Sequence, residues 1–158
     1  MSLTPAALYR RIALAEMVTW TLLIIAMVAR YGFGYEGGLF FVAGLSHGII
    51  FIAYCIVAIV VGLNLRWPVG TIVLACVLAL PPWATYPFDS WLEKHGKLKG
   101  DWRLAKTDDP RDNRALDRVL RWWLARPVLF FFTIVLGMAV VITTLLSIGP
   151  PAQWGSGA

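Results

Sequence analysis

Four apolar runs dominate this chain: residues 12–30, 39–65, 68–86 and 127–148. A helix rises about 1.5 Å per residue, so roughly 20 residues cross a hydrocarbon core about 30 Å thick. Each run is long enough to do so. Backbone placed in lipid must satisfy its own hydrogen bonds, which leaves helices or closed barrels, and none of the runs alternates in polarity as a barrel strand does. The sequence therefore predicts an all-α polytopic membrane protein, a single domain built as a four-transmembrane-helix bundle. The second and third runs are joined through Asn64-Leu65-Arg66-Trp67 alone, which predicts an antiparallel hairpin.

Composition supports this solvent. Of 158 residues, 59% are AVILMFWYC and 14 are glycine. Together these make about 68%, against about 45–50% in soluble domains. With mean hydropathy at +0.70 and 15% charged residues, a water-soluble enzyme, a disordered chain, a collagen and a disulfide-stapled domain are all excluded. Cys55 and Cys76 lie inside apolar runs and read as small core residues. The net charge of +5 comes mainly from one segment between apolar runs. That pattern predicts contact with the bilayer and its anionic headgroups, and no nucleic acid.

Thr4-Pro5 reads as an N-cap followed by proline at the first helical position, so the first helix should begin before the hydrocarbon does. Arg10-Arg11 before an apolar stretch resembles a signal peptide, but Glu16 inside it and the lack of a small-x-small cleavage pattern predict a retained span. Four spans place the N-terminus, Arg66 and the C-terminus on one side. Arg30 and the ten basic residues from Lys94 to Arg126 fall on the other. That larger share makes the 88–126 loop cytoplasmic in a bacterial plasma membrane, with both termini outside.

Within the loop, Asp109-Pro110 is a second cap signal with Asp112 at the third helical position. Leu116, Val119, Leu120 and Trp123 follow at helical spacing, and Arg114, Arg118 and Arg121 line the opposite face. This predicts a cytoplasmic amphipathic interfacial helix in the headgroup plane, with Trp123 toward lipid. Residues 149–158, rich in Pro, Gly and Ser, read as a disordered tail.

Several residues are expensive at membrane depth. Glu16 lies inside the first run and His47 and Tyr54 inside the second, where they form a candidate polar cluster. By helical rise Glu16 and Tyr54 should meet at one level. Gly44 and Gly48 form a small-xxx-small stripe for close helix packing. Pro81-Pro82 must break the third helix and free the carbonyls of Val77 and Leu78, for which His47 is the expected donor. One histidine with one carboxylate lacks the further ligands zinc requires, and His95 lies in the loop, so neither metal nor haem is expected at His47.

The second run reads Gly44-Leu45-Ser46-His47-Gly48-Ile49-Ile50-Phe51-Ile52-Ala53-Tyr54. With Glu16 before it and Pro81-Pro82-Trp83 after, residues 13–94 resemble the DUF3817 type, small actinobacterial and bacillar membrane proteins of unknown function. Their pattern has a Glu in the first span, Gly-x-x-His-Gly-x-x-Phe-x-x-Tyr in the second, and a proline-plus-aromatic end to the third. Pro82-Trp83-Ala84 replaces the Pro-Phe-Gly type of ending. The resemblance implies an architecture and marks Glu16, His47 and Tyr54, and it implies no reaction.

No nucleophile-base pair, P-loop or dinucleotide glycine pattern appears. The expected function is that of a non-catalytic accessory or assembly subunit, or a homo-oligomeric structural component. The alternatives are a small dimeric transporter or channel using Glu16, His47 and Tyr54, and, less favoured, a membrane enzyme or cofactor carrier.

Overall fold

The computed structural model describes residues 3–147, which are all-helical with no strand among them. Helix α1 (Pro5–Met27) starts where Thr4 Oγ1 accepts a hydrogen bond from the Ala7 amide at 3.2 Å, with Pro5 in the first turn. A π-helical turn (Val28–Gly32) prolongs it. Then follow α2 (Leu39–Asn64), α3 (Val69–Val77), α4 (Thr85–Lys94), a 3-10 turn (Pro110–Asn113), α5 (Ala115–Leu124) and α6 (Pro127–Ser147). Three stretches are long and apolar enough to cross a membrane: Pro5–Gly32, Leu39–Asn64 and Pro127–Thr144. The expected tail, residues 149–158, lies outside the described residues.

The third apolar run does not form the expected third span. Helix α3 stops at Val77, four residues before Pro81. Neither proline has an N–H to give, and each ring crowds the carbonyl four residues back, so the α-ladder cannot continue. The chain tightens into three-residue turns, with Ala79 N–H bonded to the Cys76 carbonyl and Leu80 N–H to that of Val77. Trp83 then takes the left-handed backbone conformation, φ 60°, and the chain reverses. Helix α4 runs back along α1: Thr85 meets Glu16, and Arg10 reaches Glu93 at 2.6 Å. Residues 68–94 therefore form a folded-back hairpin whose two ends lie at the N-terminal end of α1.

Both corners of this hairpin are built from specific residues. Arg66 ends α2 at φ 57°, and the Trp67 amide bonds back to the Gly62 carbonyl at 2.8 Å. Gly62 allows α3 to approach, since a Cβ there would lie 2.6 Å from Ile72 Cγ1. Gly96, φ 65°, ends α4 in the same manner, with the Lys97 amide on the Leu92 carbonyl. Trp67 Nε1 donates to the Lys97 carbonyl at 2.6 Å and Trp102 Nε1 to that of Leu3 at 2.6 Å. The core gathers at this end around Tyr9, Ala13, Tyr54, Val61, Trp67, Phe88, Leu92 and Leu98.

These contacts overturn the expected division of charge. The N-terminus, Arg66 and the Lys94-to-Arg126 segment share one end of the α1–α2 pair, and among the 14 Lys and Arg residues only Arg30 lies toward the other. Counting apolar residues measures the length of a run, and length is the same whether the chain crosses once or dips in and returns.

Candidate functional site

Helix α1 carries most of the polar groups at depth. Glu16 is fully buried, and its Oε2 accepts from Thr85 Oγ1 at 2.9 Å. Its Oε1 is buried with no hydrogen-bond partner. Thr19 Oγ1 donates to the Glu16 carbonyl at 3.0 Å and lies 3.2 Å from His47 Nδ1. With the hydroxyl proton so used, the histidine must donate, which assigns its proton to Nδ1. His47 also rests on the rings of Trp20 and Phe51, with centroids 4.3 and 6.2 Å away. Tyr9 and Tyr54 hydroxyls meet at 2.8 Å, both fully buried.

Two expectations about this cluster fail. His47 does not serve the proline break. The Val77 carbonyl is taken by the Leu80 amide, and the break is tied to α1 two residues further on by Trp20, whose Nε1 donates to the Ala79 carbonyl at 3.0 Å, while Trp83 Nε1 donates to Thr21 Oγ1 at 3.0 Å. Glu16 does not bond Tyr54 either. The Tyr9–Tyr54 and Thr19–His47 contacts fix the register of α1 on α2 and set Glu16 opposite residues near 49, roughly 7 Å along the helix from Tyr54. Depth counted along each run separately, from one side of an assumed bilayer, could not reveal this offset, because it takes the two helices to enter the hydrocarbon at the same level. Trp20 was legible only as another aromatic in an apolar run, although a buried indole N–H always requires an acceptor.

Trp20→Phe keeps the ring and removes the donor. It should lower stability by about 1–3 kcal/mol, because the Ala79 carbonyl then stays buried without its partner. Thermal unfolding in mild detergent reads this directly. A variant as stable as the parent would mean that the Trp83–Thr21 contact alone holds the hairpin tip.

Gly44 and Gly48 do not bring helices together within this chain. A Cβ on Gly44 would lie 4.0 Å from Leu23 Cδ1, and one on Gly48 would meet nothing within 4 Å. The close approach occurs at Gly62. Cys55 and Cys76 are half-buried and pack against the core between α2 and α3.

A second cluster, at the opposite end of α2 from Gly38, was not foreseen. Asp112, 1% exposed, accepts from Arg66, from Arg103 at 3.2 Å, and from the Thr107 amide and hydroxyl at 2.8 and 2.7 Å. The Thr107 hydrogen bonds, with Arg121 and Arg66 nearby, hold its carboxyl down at about 2. Hydrogen bonds from Arg111 likewise hold Asp109 well below the usual carboxylate range. Arg103 Nε and Nη2 donate to the Asn64 and Leu63 carbonyls at 2.6 and 2.8 Å, capping α2, and Asn64 returns bonds to Asp101 and Arg103.

This network corrects the expected interfacial helix. Asp112 belongs to the 3-10 turn and not to α5, because Arg114 is extended (ψ 145°) and separates the two. Arg121 points into protein: its Nη2 bonds the Asp112 carbonyl at 2.7 Å and its Nη1 lies 3.5 Å from that side chain. Leu120 is buried, Trp123 is half-buried against Phe130, and the large exposed apolar side chains of α5 are Leu116, Val119 and Trp122. Arg114 and Arg118 are exposed as expected.

The family model described as a domain of unknown function, DUF3817, matches residues 6–94, which hold α1, α2 and the whole folded-back hairpin. The chain belongs to the DUF3817 family. A Streptomyces coelicolor protein named as a membrane protein is 31% identical over 111 residues, covering 66% of this chain and 12% of the relative. The chain thus spans only about 12% of the length of this curated relative. No solved structure matches. The α1–α4 unit with Glu16, His47, Tyr54 and the proline break is therefore the family's part of the molecule, and the Asp112 network and α6 lie beyond it.

Proposed function

We propose that this DUF3817 protein is a non-catalytic accessory or assembly module of a larger complex in the bacterial plasma membrane. One observation carries the reading: the polar side chains at depth are spent on joining elements. Tyr9 is tied to Tyr54, Thr19 to His47, Trp20 to the Ala79 carbonyl and Glu16 to Thr85. Side chains engaged this way hold α1, α2 and the hairpin in one arrangement. The length of the curated relative agrees with a module used inside larger proteins. The N-terminus and the basic cap face the cytoplasm, following the concentration of Lys and Arg at that end, and α6 crosses to the outside.

A second reading rests on the bare Glu16 Oε1 beside the broken hairpin. Discontinuous helices around a buried carboxylate also build proton and cation paths in transporters. Two measurements separate the readings. Cross-linking in native membranes should join the chain to a different membrane protein, and proteoliposomes holding the purified chain should leak protons and alkali cations no faster than empty ones. Cross-links only between copies of this chain, together with a leak that Glu16→Gln abolishes, would replace the first reading with the second.

A further inference from the structure

The arginines after residue 60 fall into two groups. Arg66, Arg103, Arg111 and Arg121 are matched to Asp109, Asp112 and Asp117. Among the described residues, Arg114, Arg118 and Arg126 have no carboxylate within 4 Å. Two of these three flank one surface feature. A trough of about 460 Å³ runs along α5, walled by Ala115, Val119, Trp122 and Trp123, with Arg118 on its edge. Next to it, on the wall residue Trp122, the Arg126 guanidinium stacks over the indole ring, 4.5 Å from the centroid, and gives one N–H to the Trp122 carbonyl. Among the described residues its remaining donors have no partner.

The next residue, Pro127, opens the apolar helix α6, so this trough lies where hydrocarbon gives way to headgroups. From this we infer that the α5–α6 elbow is a binding site for one anionic phospholipid, its phosphate between Arg118 and Arg126 and an acyl chain along Val119, Trp122 and Trp123. A free phosphate would use the cations and leave the indole and valine walls bare. A zwitterionic lipid would add its own cation beside two arginines that, among the described residues, have no carboxylate within 4 Å, so its net charge complements the trough less well. A phosphodiester carrying one net negative charge and a hydrocarbon tail complements both halves of the trough. The inference rests on the membrane placement of α6 and is independent of whether the module is an accessory subunit.

The test uses the full chain in nanodiscs of equal parts phosphatidylglycerol and phosphatidylcholine, released for native mass spectrometry. The parent should retain phosphatidylglycerol in preference to phosphatidylcholine. Arg118→Gln with Arg126→Gln should cut that retention roughly tenfold or more, while Lys99→Gln with Lys106→Gln should leave it unchanged. Thermal midpoints of both double variants should stay within a few degrees of the parent, since none of the four side chains belongs to the ion-pair network and Arg126 loses only an exposed stack and one long hydrogen bond. Equal retention of both lipids by the parent, or undiminished phosphatidylglycerol on the Arg118/Arg126 variant, overturns the proposal. Complete displacement of the lipid by inorganic phosphate assigns the site to the free anion and overturns it equally. Failure of the parent to assemble into nanodiscs would instead sink the membrane placement itself.

Discussion

Single cysteines placed at Thr4 and at Lys97 should behave alike toward a membrane-impermeant maleimide, and a cysteine at Tyr35 should behave oppositely. In a background with Cys55 and Cys76 changed to serine, positions 4 and 97 stay unlabelled in intact cells and react in inside-out vesicles, whereas position 35 reacts in intact cells. The effect is close to all-or-none, because a hydrophilic maleimide does not cross the hydrocarbon. The expectation follows from Trp102 donating to the Leu3 carbonyl and Trp67 to that of Lys97, which tie the N-terminus and the loop to one end of the bundle. If position 97 labels with position 35 and not with position 4, the third run crosses the membrane and the hairpin is wrong.

The other large effect is expected at Arg103. Its side chain joins the last carbonyls of α2 to the carboxylates of Asp112 and Asp117, so Arg103→Ala strands acceptors on both sides at once. Removing one member of a largely buried charge cluster costs about 3–5 kcal/mol, which for a chain of this size lowers the thermal midpoint by on the order of 10 °C. Arg103→Lys should recover only part of this, since an ammonium cannot span the fork. The network also has a pH signature. Asp112 titrates at about 2, below its unfolded value, so its contribution is complete above about pH 4 and is lost as pH falls toward 2. Thermal midpoints that stay flat from pH 8 to 5 and fall below pH 4 agree with this. An Arg103→Ala midpoint equal to the parent's would show that the loop is held by Trp67 and Trp102 alone.

What the sequence disclosed and what it hid have different physical origins. Helix starts and stops are local: Thr4-Pro5 capped α1 as read, and Pro81-Pro82 stopped α3 as read. Burial of Glu16, His47 and Tyr54 followed from the cost of polar groups in apolar runs. Their partners did not follow, because register between two helices is set by pairs such as Tyr9 with Tyr54, 45 residues apart. The direction taken after the proline break was partly visible. Thr85, Asp89 and Glu93 recur every four residues on α4, a polar stripe that begins at the end of the expected third span and is well suited to Glu16 and Arg10 on α1. Likewise, Asp109, Asp112 and Asp117 among four arginines spell an ion-pair cluster once Arg66 is known to sit beside them.

Because the hairpin returns α4 to Arg10, the stretch matched by the family model enters and leaves at the same end of the α1–α2 pair. Such a unit has even parity. It can be spliced into a longer membrane chain and every downstream segment keeps its original sidedness, whereas a unit with three crossings would turn the rest of the protein inside out. With α6 crossing as proposed, the count becomes odd here. A unit of even parity can therefore be carried inside a far longer membrane protein without disturbing what surrounds it, whereas one added crossing reverses the side on which the chain continues.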